Sequence, residues 1–144
     1  MNELRQRAVR LLARREHTRA ELFRKLAPHG TPEEIEIVLT ELAANGLQSD
    51  ARFAESYVRS QAARLGAARL RQTLRTKGVA AELIDSQLAG ADLPDEMERA
   101  RALWARKFTA PPTDAREWAK QARFLQGRGF SAEIIRKLLK DIGG

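Results

Sequence analysis

Leu4, Ala8, Leu11 and Leu12 form one apolar stripe in an otherwise arginine-rich segment, with the spacing of a single helix face. Thr18-Arg19-Ala20-Glu21 has the form of a capping box, in which the Thr hydroxyl accepts an orphan N–H and the Glu reaches back. It opens a short helix carrying Leu22, Phe23 and Leu26, closed by Pro28 and Gly30. Thr31-Pro32-Glu33-Glu34 is a second capping box, with Pro at a first-turn position where its missing N–H costs nothing. Ile35, Val38, Leu39 and Leu42 follow at helical spacing, and Asn45-Gly46 ends that helix, with Leu47 placed to fold back as in a Schellman stop.

The same three-helix pattern then recurs. Ser49 is expected to cap a helix with Phe53, Ala54, Tyr57, Val58 and Leu65, ended by Gly66. Leu70 and Leu74 mark a middle helix stopping at Gly78-Val79, and Leu83, Ile84 and Leu88 a third ending near Gly90. After Leu93-Pro94 the pattern predicts a helix with Ala100, Leu103, Trp104 and Phe108, ended at Ala110-Pro111-Pro112. Thr113 is expected to cap the next, with Trp118, Ala122 and Leu125, and Ser131 the last, with Ile134, Ile135, Leu138 and Leu139. Leu26, Leu74 and Leu125 each stand four residues before a glycine, Gly30, Gly78 and Gly129, and each glycine precedes a helix with apolar residues four apart. No strand-period alternation competes. The expected fold is all-α, an elongated, curved array of three tandem three-helix repeats covering 1–47, 48–90 and 91–144. Trp104, Phe108, Trp118, Phe124 and Phe130 are read as core.

Composition narrows the function. Without cysteine, disulfides, thiolate chemistry and Cys-ligated zinc are excluded, which suits a reducing, cytoplasmic setting. No stretch approaches the roughly 20 apolar residues of a membrane span, and the Arg-rich start has no secretory h-region. His17 and His29 sit in no metal spacing and beside no nucleophile, and both are expected at the surface or next to a helix cap. Glu33, Glu34 and Glu36, like Asp95, Glu96 and Glu98, stand in first turns, where the helix dipole favours them. There is no phosphate-binding GxxxxGK[ST] or GxGxxG loop, and Gly127-Arg128-Gly129 reads as a helix terminus. A non-enzymatic protein without cofactor or metal is expected.

Charge is the remaining signal. The net charge is +7, favouring an anionic partner. Residues 1–47 carry eight bases against seven acids, 48–90 seven against four, and 91–144 eleven against eight. Between Arg59 and Val79 there are six cations and no carboxylate. A helix C-terminus accounts for the position of Arg69, Arg75 and Lys77, but not for the missing acids, since a solvated face ordinarily mixes both signs. Gln72, Thr73 and Thr76 offer little for base reading, and aromatics interleaved with cations are lacking. Three roles stay open: docking on a protein–DNA assembly, nonspecific nucleic-acid binding as a stand-alone module, or scaffolding of another acidic protein.

LLARREHTRAELFRKL (Leu11–Leu26), GLQSDARFAESYVRSQ (Gly46–Gln61), LRQTLRTKGV (Leu70–Val79) and RFLQGRGFSAEIIRKLL (Arg123–Leu139) together resemble the RecX family, regulators of the RecA recombinase. The resemblance spans nearly the whole chain, with the segments in family order. It implies a helical protein that lies in the groove of the RecA–DNA filament and suppresses ATP hydrolysis, strand exchange and co-protease activity. Some members also bind DNA directly. The residues expected to make contact are Arg59, Arg64, Arg69, Arg71, Arg75 and Lys77 in the middle unit, with Arg14, Arg15, Arg123 and Arg128 at either end. A monomer is expected. Three positions depart from the family pattern: Ser49-Asp50 replaces an acidic pair, and Gln61 and Gly127 stand where cations are common. The last two weaken any anionic contact made there.

Overall fold

A computed structural model describes residues 2–90 and 92–143, and the regular structure among the described residues is all helical, with no strand. The helices are α1 (Asn2–Arg14), α2 (Arg19–Leu26), α3 (Pro32–Ala44), α4 (Asp50–Gln61), α5 (Ala67–Thr76), α6 (Ala81–Gly90), α7 (Glu96–Lys107), α8 (Ala115–Gly127) and α9 (Ala132–Ile142).

Contacts divide the chain into two compact units. One comprises the described residues of Met1–Tyr57 with Leu74–Ala89, the other those of Val58–Thr73 with Gly90–Gly144. The division falls within α4 and within α5. In the first unit Leu4 and Ala8 of α1, Leu22 and Leu26 of α2, and Ile35, Val38, Leu39 and Leu42 of α3 form one buried cluster. In the second, Ala100, Leu103, Leu125, Phe130, Ile135, Leu138 and Leu139 do the same.

Both predicted capping boxes are present: Glu21 N donates to Thr18 Oγ1 and Thr18 N to Glu21 Oε1, both at 3.0 Å, and Thr31 and Glu34 repeat the exchange. Ser49 and Ser131 cap α4 and α9. The stop signals also act as the residues suggest. Gly46, Gly78 and Gly129 adopt φ of 74°, 92° and 94°, a region open chiefly to glycine. The next residue in each case, Leu47, Val79 or Phe130, donates back to Leu42, Leu74 or Leu125 in a Schellman closure.

Several local expectations are corrected. α8 is capped by Asp114, whose carboxylate accepts from Glu117 N at 2.8 Å, not by Thr113. α4 ends at Gln61, so Leu65 lies outside it, and Gly66 belongs to the start of α5, its carbonyl accepting from Leu70 N. α2 gives way to a 3-10 turn at Ala27–His29, and Gly30 has an extended φ of −170°, so the first unit's middle stop is made by Pro28 and not by a left-handed glycine. Leu47 makes its backbone bond while its side chain stays 44% exposed. Of the aromatic residues read as core, Phe130 is buried, Trp104, Phe108 and Phe124 are half-buried, and Trp118 is 38% exposed. Trp104 donates its Nε1–H to Oε1 of buried Gln121 at 2.7 Å.

Candidate functional site

The sequence-predicted cations fall into both units and fare differently. In the first unit, the capping box that starts α2 leaves Glu21 almost wholly buried beneath two of them: Arg15 Nη2 lies 3.4 Å and Lys77 Nζ 3.5 Å from Glu21 Oε2. Burial opposes ionisation of this carboxyl, but the Thr18 N–H, the Arg15 guanidinium and Lys77 outweigh it and hold Glu21 below the ordinary carboxylate range. Thr18 Oγ1 donates to Lys77 O at 2.7 Å, fastening the end of α5 to the start of α2. Arg15 also donates to Glu16 O. Arg15 and Lys77 are thus brought together, but around a shared acid.

His17 departs from expectation. It adjoins the Thr18 cap as anticipated, yet it is only 2% exposed. Its Nδ1–H donates to Arg15 O at 3.0 Å, which leaves Nε2 to accept from Lys25 Nζ at 3.1 Å. That tautomer requires a neutral ring. Burial, with help from the Arg15 and Lys25 charges, lowers the His17 pKa accordingly, against the pull of its backbone bond and of Glu21.

In the second unit, the start of α5 meets the stop of α8. Gly66 N donates to Arg128 O at 2.7 Å, Ala68 N to Gly129 O at 3.3 Å and Ala67 N to Glu96 Oε2 at 2.8 Å, which satisfies three of the orphan donors at the start of α5. Arg69 joins the junction by donating to Gly127 O at 2.9 Å, and the Arg128 guanidinium lies 5.0 Å from the Phe124 ring centre. Arg69 and Arg128 therefore meet at one place, partly engaged in holding it. Arg64, Arg75 and Arg123 are exposed and make no ion pair among the described residues. Arg59 is exposed and Arg71 half-buried.

A group absent from the sequence reading appears beside Arg14. Arg7, Arg10 and Arg14 line an open cleft of about 270 Å³, with Lys25 and His29 opposite. The signal was available as an i, i+3, i+7 arginine row on α1. It was masked by the nearly balanced charge of residues 1–47. No cluster of His, Cys, Asp or Glu able to hold a metal occurs among the described residues, and none of their helices is long and apolar enough to cross a membrane.

Comparison with known proteins places this architecture. Three family models, described as the first, second and third three-helix domains of RecX, match residues 5–42, 49–88 and 94–139. The regulatory protein RecX of Leptothrix cholodnii is 52% identical over 138 residues, covering 95% of this chain and 87% of its own. That of Chromobacterium violaceum is 45% identical over 137 residues, covering 94% and 88%. A crystal structure of RecX from Lactobacillus salivarius superposes with a TM-score of 0.84 at 22% identity, covering 99% of this chain and 96% of that one, which speaks for the fold. A second crystal structure of regulatory protein RecX gives 0.78 at 29% identity, covering 97% and 72%.

Proposed function

The chain belongs to the RecX family of regulatory proteins, and from that premise we propose that it is a negative modulator of RecA. It binds in the groove of the RecA–DNA filament in the cytoplasm and inhibits ATP hydrolysis, strand exchange and co-protease activity, tempering recombinational repair and the SOS response. It acts as a monomer and by binding, without a reaction of its own. The observation that carries this reading is that Arg64 and Arg75, within the acid-free run from Arg59 to Val79, are exposed and meet no carboxylate among the described residues. Cations left without internal partners keep their charge for an external one. Contacts to neighbouring filament subunits restrict the subunit movement that accompanies each ATP cycle.

The test compares binding to bare single-stranded DNA with binding to RecA filaments held by a non-hydrolysable nucleotide, across a salt series. Binding that needs the filament and falls gently with salt supports the proposal, and Arg64→Glu/Arg75→Glu then abolishes it. Equal affinity for both, with a log–log slope near −0.7 per phosphate contact, reassigns the protein as a stand-alone nucleic-acid module.

A further inference from the structure

Past the last turn of α4, two arginines of α7 take hold of the chain. Arg99 Nε donates to Ala62 O at 3.0 Å and Arg106 Nη2 to Ala63 O at 2.7 Å, while Arg99 Nη1 donates to Pro94 O at 3.2 Å. With their guanidinium groups fixed on main-chain oxygens, the two side chains present their methylene stems to the space between. That space is an open groove of about 350 Å³, to which Ala62, Ala63, Leu93, Pro94 and Ala102 contribute. Every residue lining it falls in the second unit. Its surface is predominantly apolar although four of its nine lining residues are charged, as expected where stems and not heads face inward.

The charge around the groove is one-sided. Glu98 is its only carboxylate, against Arg59, Arg99 and Arg106. Arg99 and Arg106 are held by neutral carbonyls and form no ion pair among the described residues, so their charge is not cancelled locally. These two properties select the occupant. A nucleic-acid strand would set hydrated phosphates against alanine, proline and leucine, and the lining has no aromatic ring on which a base could stack. A protein segment supplies both matching parts: large apolar side chains for the floor and carboxylates for the rim. The volume stands at the low end of the roughly 300–1,000 Å³ of small-molecule sites, which suits one or two anchoring side chains.

We propose that the α4–α7 groove, built on Ala63, Ala102, Arg99 and Arg106, is the anchor site for a protein segment that carries one or two large apolar side chains flanked by carboxylates. On the filament, RecA supplies that segment. The proposal rests on the RecA reading above and adds to it an apolar contact that net charge does not reveal.

The experiment measures binding of the full chain to RecA filaments held by a non-hydrolysable nucleotide, across a salt series. Ala63 and Ala102 are exposed, so A63W and A102W each fill the groove without altering charge, and thermal melting checks that both fold. A105W, at an exposed position of α7 outside the lining, is the control. The expected result is about thirtyfold weaker binding by A63W and by A102W, the loss of one anchoring contact, with the parent's salt dependence and a change below about threefold in A105W. A102E, which sets a carboxylate three residues after Arg99 and four before Arg106, should bind about threefold or more weakly than the isosteric A102Q. Parent affinity in both groove-filling variants would overturn the groove and leave the RecA reading standing, whereas no filament binding by the parent would overturn that reading and this partner with it. Equal affinity of A102E and A102Q would overturn the acidic character of the segment. Loss of bare single-stranded DNA binding by A63W and A102W to the same extent would assign the groove to nucleic acid. A parent dimer that only the groove-filling variants convert to monomer would assign it to a second copy. Either result overturns the proposal.

Discussion

Gly129→Ala tests whether the α5–α8 junction is as close as its geometry requires. A Cβ at Gly129 would lie 2.2 Å from Arg69 Cβ and 2.6 Å from Arg69 N, where carbon contacts ordinarily rest at about 3.5–4.0 Å. The φ of 94° adds a backbone penalty of roughly 1–2 kcal/mol for any residue with a side chain. Relieving the clash means drawing the first turn of α5 away from α8, which loosens Gly66 N to Arg128 O and Ala68 N to Gly129 O, each worth about 0.5–1.5 kcal/mol net. Together these destabilise the fold by about 2–5 kcal/mol, a large share of the 5–15 kcal/mol typical of a domain. Urea denaturation reads the effect. Both tryptophans, Trp104 and Trp118, lie in the second unit, so their fluorescence reports the unit that is perturbed, while far-ultraviolet circular dichroism reports helices of both. Gly66→Ala separates the two contributions, because its Cβ would meet Gly129 O at 2.4 Å with no positive φ involved. Gly127→Ala is the internal control: nothing lies within 4 Å of its Cβ, and alanine in the last turn of α8 should stabilise by about 0.5–1 kcal/mol. The reasoning fails if Gly129→Ala unfolds within 1 kcal/mol of the parent, or if Gly127→Ala costs as much as Gly129→Ala.

Four further outcomes are expected. Asp114→Ala should lower stability by about 0.5–2 kcal/mol through the lost cap of α8, whereas Thr113→Ala should stay within about 0.5 kcal/mol, both read by thermal melting. Thr18→Ala removes a buried hydroxyl that accepts from Glu21 N and donates to Lys77 O, and should cost about 1–3 kcal/mol in urea. Glu21→Gln should be less stable than the parent at neutral pH, and the gap should close as pH falls through and below the ordinary carboxylate range. The folded-state pKa is depressed, so its stabilisation exists above the unfolded value and disappears once the folded carboxyl is protonated. For His17 the unfolded chain takes up the proton first, so stability should fall as pH drops below about 6.5, and His17→Gln should flatten that segment of the profile.

The helices were legible because spacing and caps agreed: Thr18, Thr31, Ser49 and Ser131 each precede an apolar face. At α8 the sequence reading took Thr113 as the cap and passed over the residue after it. Asp114 with Glu117 three residues on completes the local hydrogen bonding. Gly66 was misread because a glycine marks backbone freedom or close approach without saying on which side of it the helix lies. Helical spacing also placed Trp118 on an inward face that its neighbours do not fully cover. The α1 arginine row was hidden for a different reason. Charge counted over a stretch assumes that neighbours in sequence neutralise one another, yet Arg5 and Arg19 find their acids 36 and 17 residues away. Those tertiary pairings decide which cations stay free, and they cannot be counted from the linear chain.

The shared helices α4 and α5 also bear on how the protein is made. The first unit draws on Leu74–Ala89, so it cannot close when Tyr57 leaves the ribosome. At about 5–20 residues per second its last helix follows roughly 2–6 s later. During that interval the α1–α3 cluster can pack, since it uses nothing beyond Leu42. Val58–Thr73 will already have emerged by then, and those residues in turn await the final third of the chain. Birth order and packing order are therefore interleaved, and a chain released early at a repeat boundary carries an unfinished core.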